Sequence, residues 1–506
     1  MIAIRKVLSR SAATGVPETL GAVGAVELAA RNATLEEVVR ALRAENGALR
    51  TENGGLRAKI ESLHAEMVGL QERIRELAER LKQSSRNSSK PPSSDGPVVK
   101  LPPKRKKANR QRGGQPGHQG KARALVEGAV VAEPVECVPE RCEQCGDALG
   151  GTDPTPERHQ VVEIPDPRPV LTEYFIHWLR CLSCGHVTGG ALPKGVTRSA
   201  FGPRLHALVA LLSGCYLMTK RQVASLVEVL FGIHMASGSV CKIERRMSAA
   251  IAEPTAAAGA YVRAAAVVNA DETSWRESLS RAWLWVAATM DVVVYQIQRR
   301  RNTEAAKNLL GAAFAGVVCV DRWSAYTWLQ CRQVCWAHLL RDFQAMAERY
   351  GSEWHGVRLV AAGQRVLAAW ADWHDGKIDR ATMLARIAPD RDRIQHLIEQ
   401  GTHCPACKTR GVCRKLLKVE REMWMFLDRA DVPPTNNLAE RNLRRGVLWR
   451  KVSYGTDSEA GSRYVERMLT VVMTLRAQHR DVFAYLVAAH NARVAGDPAP
   501  SILPTT

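Results

Sequence analysis

The chain has 506 residues and a formal net charge of +20, with 71 Lys or Arg against 51 Asp or Glu. That length predicts several domains, a hydrophobic share of 46% is ample for real cores, and the positive excess calls for a polyanionic partner, nucleic acid before membrane. No apolar run reaches the roughly 18 residues of a membrane span, the N-terminus lacks the features of a secretory signal, and an odd count of 13 cysteines, several in C-x₂-C spacing, favours metal over disulfides.

Residues 1–30 are rich in Ala and Gly without a clear period and carry no assignment. Then Leu35, Leu42, Leu49, Leu56, Leu63, Leu70 and Leu77 recur at every seventh position, with Val39, Asn46, Asn53, Ile60, Met67, Ile74 and Leu81 as the second seam. This unbroken heptad run predicts a leucine-zipper coiled coil over 31–83, and Asn at two a positions costs stability but selects a parallel, in-register dimer. A linker over 84–130 follows. Its stretch from Lys100 to Arg123 has no acidic residue, cannot bury a core, and reads as a phosphate-binding arm at Lys104, Arg105, Lys106 and Lys107.

Over 131–190 two knuckles, Cys142-Glu143-Gln144-Cys145 and Cys181-Leu182-Ser183-Cys184, are each followed by Gly. Four thiolates on two turns suit a structural Zn²⁺ ribbon, with the strand-like stretches 160–164 and 171–179 as a long hairpin between them. Over 196–255 an amphipathic helix, a Gly-containing break and a basic helix suggest helix-turn-helix geometry, whose second helix presents Lys242 and Arg245 to DNA.

From about residue 260 the period changes to strands. Three consecutive strands, a helix and a fourth strand ending at Asp321 predict the opening of an α/β ribonuclease H-like domain, with its first part over 260–344. A helical insertion over 345–431 and a second part over 432–492 complete it. Asp271 and Asp321 each close an apolar run, and Glu440 falls in the first turns of a basic helix that Asn436 or Asn437 can cap. Two strand-end aspartates and a helical glutamate suit a pair of hard divalent cations, Mg²⁺ or Mn²⁺, of the kind that act on phosphodiesters. Glu272 would point to the opposite face of its strand. His338 is a candidate for contact with the scissile phosphate and equally for a structural role. Arg441, Arg444, Arg445 and Arg450 crowd the glutamate helix as phosphate contacts. His403, Cys404, Cys407 and Cys413 have the ligand types of a second zinc site inside the insertion.

Asp271-Glu272-Thr273, Asp321-Arg322-Trp323-Ser324-Ala325-Tyr326, Cys335-Trp336-Ala337-His338-Leu339 and Asn436-Asn437-Leu438-Ala439-Glu440-Arg441 together resemble the insertion-sequence-sixty-six (IS66) family of bacterial DDE transposases. The likeness extends over the zipper, the Ser-Ser-Lys-Pro-Pro-Ser-Ser-Asp linker, the Gly-Gly-Gln-Pro-Gly-His motif and the knuckles. Thr435 departs from it, standing where the family pattern usually has Asp. The resemblance implies that Asp271, Asp321 and Glu440 are a metal-binding triad for cleavage and strand transfer at insertion-sequence ends. It also implies a dimer or higher oligomer acting on end and target DNA, with companion proteins of the element as a further partner class. A DNA-binding regulator with an inactive catalytic domain is the alternative, and it does not need the three acids intact. The expected location is cytoplasmic, associated with the nucleoid and not with membrane.

Overall fold

The computed structural model describes residues 22–82, 125 and 135–505. The basic arm at Lys104–Lys107 lies outside the described residues. The chain divides into two units, Met1–Ser94 and Asp95–Thr506.

In the first unit, helix α1 (Ala22–Lys82) runs unbroken for 61 residues and starts upstream of the first heptad leucine. Leu35, Leu42, Leu49, Leu56, Leu63 and Leu70, with Val39, Ile60, Met67 and Ile74, are all exposed. A lone helix has no second surface to bury such a seam, so the stripe is bare in the single chain.

The second unit opens with the two knuckles. Strands β1 (Trp178–Arg180) and β2 (Val187–Gly189) form a small antiparallel hairpin that carries Cys181 and Cys184 at its tip. The longer hairpin expected over 160–164 and 171–179 is not there beyond β1. Pro165, Pro167 and Pro169 fall in the connection between the two stretches, and no strand forms over 160–177. Val161, Val162, Ile164, Val170 and Leu171 are accordingly exposed.

Helices α2 (Pro203–Ala210), α3 (Lys220–Phe231) and α4 (Ser237–Ala250) follow, with a π-turn over Leu211–Cys215 after α2. A Thr219–Gln222 capping box starts α3 and Gly232, at φ 65°, ends it in the left-handed conformation that glycine adopts without strain. Val209, Val223, Val227, Met235, Val240 and Ile243 form a small core beneath this turn. These helices are not a detached domain: Ala207, Ala210 and Met247 join the core that holds the sheet.

Helix α5 (Ala252–Ala264) leads into the antiparallel meander β3 (Val267–Glu277), β4 (Ser280–Ala288) and β5 (Val293–Gln298). Helix α6 (Thr303–Leu310), capped by Asn302, crosses over to β6 (Val317–Val320), and β7 (Arg332–Val334) follows. The sheet order is β5-β4-β3-β6-β7, with β6 parallel to both β3 and β7, so the first and fourth strands of this run lie side by side as expected. Alternate residues of β6 enter two different cores. Val318 and Val320 join one with the meander, and Val317 and Cys319 join another. That second core belongs to α7 (Trp336–Ala347), α8 (Glu353–His374), α9 (Arg380–Gly401), α10 (Cys407–Leu417) and the short α11 (Glu420–Met423) and α12 (Met425–Asp428). The chain closes with α13 (Asn437–Ser453), α14 (Glu459–Ala477) and α15 (Val482–Ala495). Among the described residues no helix is long and apolar enough to cross a membrane.

Among the described residues no strand pairs with the outer edge of β5; α14 takes that place. Thr474 Oγ1 accepts from the Val293 N–H at 3.0 Å and Thr470 Oγ1 from the Tyr295 N–H at 3.1 Å, and Glu466 Oε1 accepts from the Ile297 N–H. Four helical residues advance about 6.0 Å and two strand residues about 6.6 Å, so side chains four apart can meet N–H groups two apart for a few rungs. Thr474→Val, nearly isosteric, leaves the Val293 N–H and C=O without this hydroxyl. It should cost about 1–3 kcal/mol in urea unfolding, and a loss below roughly 0.5 kcal/mol would mean that the contact is dispensable.

Candidate metal centre

Val267, Val268 and Asn269 of β3 pair in parallel with Val317, Val318 and Cys319 of β6. Carried two residues further, that register sets Asp271 beside Asp321, just past the end of β6. Strand alternation turns both to the face that also bears Asn269 and Cys319. Asp321 Oδ1 accepts from the Trp323 N–H at 2.9 Å, and Asp271 Oδ1 from the Glu272 N–H at 2.8 Å.

Glu440 arrives from the far side of the insertion, and the segment before it is fastened residue by residue. Pro434 O accepts from the Trp336 N–H, and the Asn436 N–H donates to Cys335 Sγ at 3.1 Å. Asn436 holds the N-cap position of α13, yet its side chain does not cap the helix. Its Nδ2 donates to Ala270 O at 2.7 Å and its Oδ1 accepts from Asn269 Nδ2 at 3.2 Å, which corrects the capping expectation. Thr435 contributes its carbonyl, an acceptor for the same Asn269 amide. Further along α13, a Cβ on Gly446 would come within 2.1 Å of the buried Leu284 side chain, so glycine lets this helix lie close on the sheet.

The three carboxylates feel one another. Burial, then the charge of Glu272, pushes the Asp271 carboxyl well above its usual range, and Asp321 and Glu440 add to the rise. Burial raises Glu440 as well; Arg341 opposes the shift and Asp321 adds to it. Glu272 faces away and is fully engaged, with Arg301 at 2.7 Å and the Tyr326 hydroxyl at 2.7 Å. Arg301 also lies 4.1 Å over the Trp323 ring. Trp323 and Tyr326 pack against each other and Trp285, a core cluster and not an open stacking platform.

His338 Nδ1 lies 3.6 Å from Glu440 Oε1, and Arg341 Nη2 lies 4.0 Å from the same oxygen. Burial and then Arg341 hold the His338 pKa at about 4, so the imidazole is neutral at physiological pH. Both His338 Nδ1 and Glu440 Oε1 are shielded from solvent without a hydrogen-bond partner among the described residues. Crowded carboxylates with raised pKa values and an orphaned oxygen fit a divalent cation. Cys335 joins His338 and Glu440, with their ligand atoms within 4.8 Å of one another. Sequence reasoning gave Cys335 no role; its place three residues before His338, at the start of α7, was the available signal.

The other candidates are placed as follows. Lys242 and Arg245 are exposed on α4, and Arg441 and Arg444 on α13, with Arg445 half-buried. Arg450 is spent on β3, donating to Thr273 Oγ1 at 3.2 Å and to Ser274, so it fastens the helix to the sheet. Asp342 pairs with Arg322. The two knuckles are built alike. Gly146 and Gly185 N–H groups return to Cys142 O and Cys181 O, and Arg141 and Arg180 each donate to the carbonyl of the glycine five residues on. Backbone N–H groups of the second cysteine and its neighbour lower the Cys142 and Cys181 thiols. In the insertion, Cys404 and Cys413 are buried while His403 and Cys407 are exposed. Neither this group nor the four knuckle thiols bring three ligand atoms within 4.8 Å among the described residues.

A multidomain, mixed α/β chain with a long N-terminal helix and acids gathered over the ends of two parallel strands is the class of protein these features define. The profile of the Transposase IS66 family matches residues 198–464, just over half of the chain and all three acids, and the chain belongs to that family. A family of unknown function, DUF6444, matches residues 31–124. The uncharacterized protein y4qI of Sinorhizobium fredii is 24% identical over 254 residues, 44% of this chain and 46% of that protein. The chain thus spans about half the length of the curated relative it matches.

The raised Asp271 pKa has a consequence for stability. Its contribution is fully present below the unfolded value and is lost as pH rises through the folded one. Asp271→Asn should therefore raise the thermal midpoint of metal-free protein, more at pH 8 than at pH 5. An unchanged or lowered midpoint at pH 8 would show that the carboxylates do not strain one another.

Proposed function

We propose that the chain is a DDE transposase that cleaves DNA at insertion-sequence ends and joins those ends to target DNA, on a ribonuclease H-like domain split by the helical insertion. The observation that carries this reading is the parallel register that sets Asp271 beside Asp321, with Glu440 near enough for its charge to raise the Asp271 carboxyl. Asp271, Asp321 and Glu440 would hold Mg²⁺ or Mn²⁺. Such ions, when bound, make water and then a DNA 3′-hydroxyl effective nucleophiles and stabilise the leaving oxygen. The remaining roles fall to side chains of this chain. Neutral His338 offers a ring nitrogen to the scissile phosphate, and Arg341 sets positive charge beside it. Exposed Arg441 and Arg444 engage flanking phosphates, while Arg450 keeps the glutamate helix in place.

Three other elements serve DNA binding in this reading. The α3–α4 pair over its own small core acts as a helix-turn-helix, with Lys242 and Arg245 facing the duplex. Cys142, Cys145, Cys181 and Cys184 bind a structural Zn²⁺, supported by the duplicated knuckle geometry and the lowered thiol pKa values. The bare heptad seam of α1 pairs with a second copy.

Asp271→Asn, Asp321→Asn and Glu440→Gln should each lower Mg²⁺-dependent cleavage of end DNA by at least about 100-fold while leaving DNA binding in place. Cleavage that persists in all three would exclude the triad. Deleting residues 31–82 should give a species of lower oligomeric state by sedimentation that binds paired ends far more weakly, because the second copy is no longer tethered. A deletion variant that sediments as the same oligomer would assign assembly to the rest of the chain.

A further inference from the structure

Cys335 ends the link from β7 and precedes the first turn of α7, so its sulfur faces backbone N–H groups. It accepts from the Asn436 N–H at 3.1 Å. That contact fixes the sulfur at the start of α7. Beside it stand the two orphaned atoms, His338 Nδ1 and Glu440 Oε1, 3.6 Å apart. A tetrahedral ion holding ligands at about 2.0–2.3 Å spaces them roughly 3.3–3.7 Å apart, so this pair is already at ligand spacing, and the three ligand atoms lie within 4.8 Å of one another. Thiolate, imidazole and carboxylate are a zinc-type donor set; Mg²⁺ takes oxygen ligands and has little affinity for sulfur.

We propose that Cys335, His338 and Glu440 form a second, soft-metal site, selective for Zn²⁺ and chemically similar ions, that shares Glu440 with the acid pair Asp271–Asp321. The two sites then compete. An ion drawn to the sulfur side takes Glu440 away from the hard-metal side, and Zn²⁺ inhibits the Mg²⁺-supported reaction by occupying a place of its own. Arg341, 4.0 Å from the shared oxygen, and Arg322 near His338 oppose a cation here, and Asp321 favours one. This cation pressure keeps the site weaker than a structural zinc site. The inhibitory consequence rests on the function proposed above; the binding itself does not.

The test uses the full chain as purified, its metal content measured, and then titrated with Co²⁺. Wild-type protein should take up about one equivalent beyond any metal it already carries, with a thiolate-to-cobalt charge-transfer band; a large excess of Mg²⁺ should raise the Co²⁺ concentration needed without abolishing the band at saturation. Cys335→Ser should abolish that band. His338→Ala should weaken binding by more than the roughly 10–100-fold that outer-shell partners are worth. Arg341→Gln, which removes the opposing charge, should tighten it and serves as the decisive variant if Cys335→Ser does not fold. A band that persists in folded Cys335→Ser, or an affinity that neither His338→Ala nor Arg341→Gln moves, would overturn the proposal. Absence of Mg²⁺-dependent cleavage together with Cys335-dependent cobalt uptake would instead count against the transposase reading alone.

Discussion

The pairing of β3 with β6 is the constraint on which the rest depends. A parallel register, with Asn269 opposite Cys319, brings the next acid on each strand to the same end and face of the sheet. Two carboxylates there repel, and burial raises the cost of charging Asp271. Much of the surrounding structure holds that arrangement. Asn436 ties the approach of the glutamate helix to the backbone of Ala270, one residue from Asp271, and Arg450 secures the same helix to β3 beyond it. The local like-charge strain is offset by apolar packing, since Val268 and Ala270 on the opposite face of β3 are buried in the main core.

The insertion is part of that support and not an appendage. Residues Val317 and Cys319 of β6 and Val334 of β7 send their side chains into the core that the insertion helices build. Trp336 Nε1 donates to Met423 O at 2.7 Å, and Gln333 bonds both Met423 O and the Phe426 N–H, so the returning chain is clasped to the strand from which it left. The loop that follows delivers Pro434 and Asn436 to the sheet. Glu440 thus owes its position to packing more than a hundred residues away in sequence from β6.

The strands and helices were legible because their signals are local. Apolar runs ending in an acid gave β3 and β6, and the heptads gave α1. The knuckle hairpin was overdrawn because the apolar residues of 160–164 and 171–177 look like strand but find no core to face and remain exposed. The candidate site could be named from sequence as three acids and a histidine, but not as a set of contacts. Asn436 reads as a cap from its place before a helix, and only the neighbouring strand gives its amide better partners. Arg450 reads as one more basic residue until β3 is seen beneath it. Cys335 has no periodicity or pairing of its own; the meeting of β7, α7 and α13 gives it neighbours.

The ladder of Glu466, Thr470 and Thr474 along α14 has a consequence for how copies of this chain can associate. An open strand edge is an invitation to any other strand, because its unpaired amides accept a partner regardless of sequence. Here β5 offers its amides at Val293, Tyr295 and Ile297 to one helix of its own chain. Sheet continuation from that edge is closed off, and with it a common route to irregular, open-ended aggregates. At this edge a second copy would find side chains of α14 and not a bare row of amides.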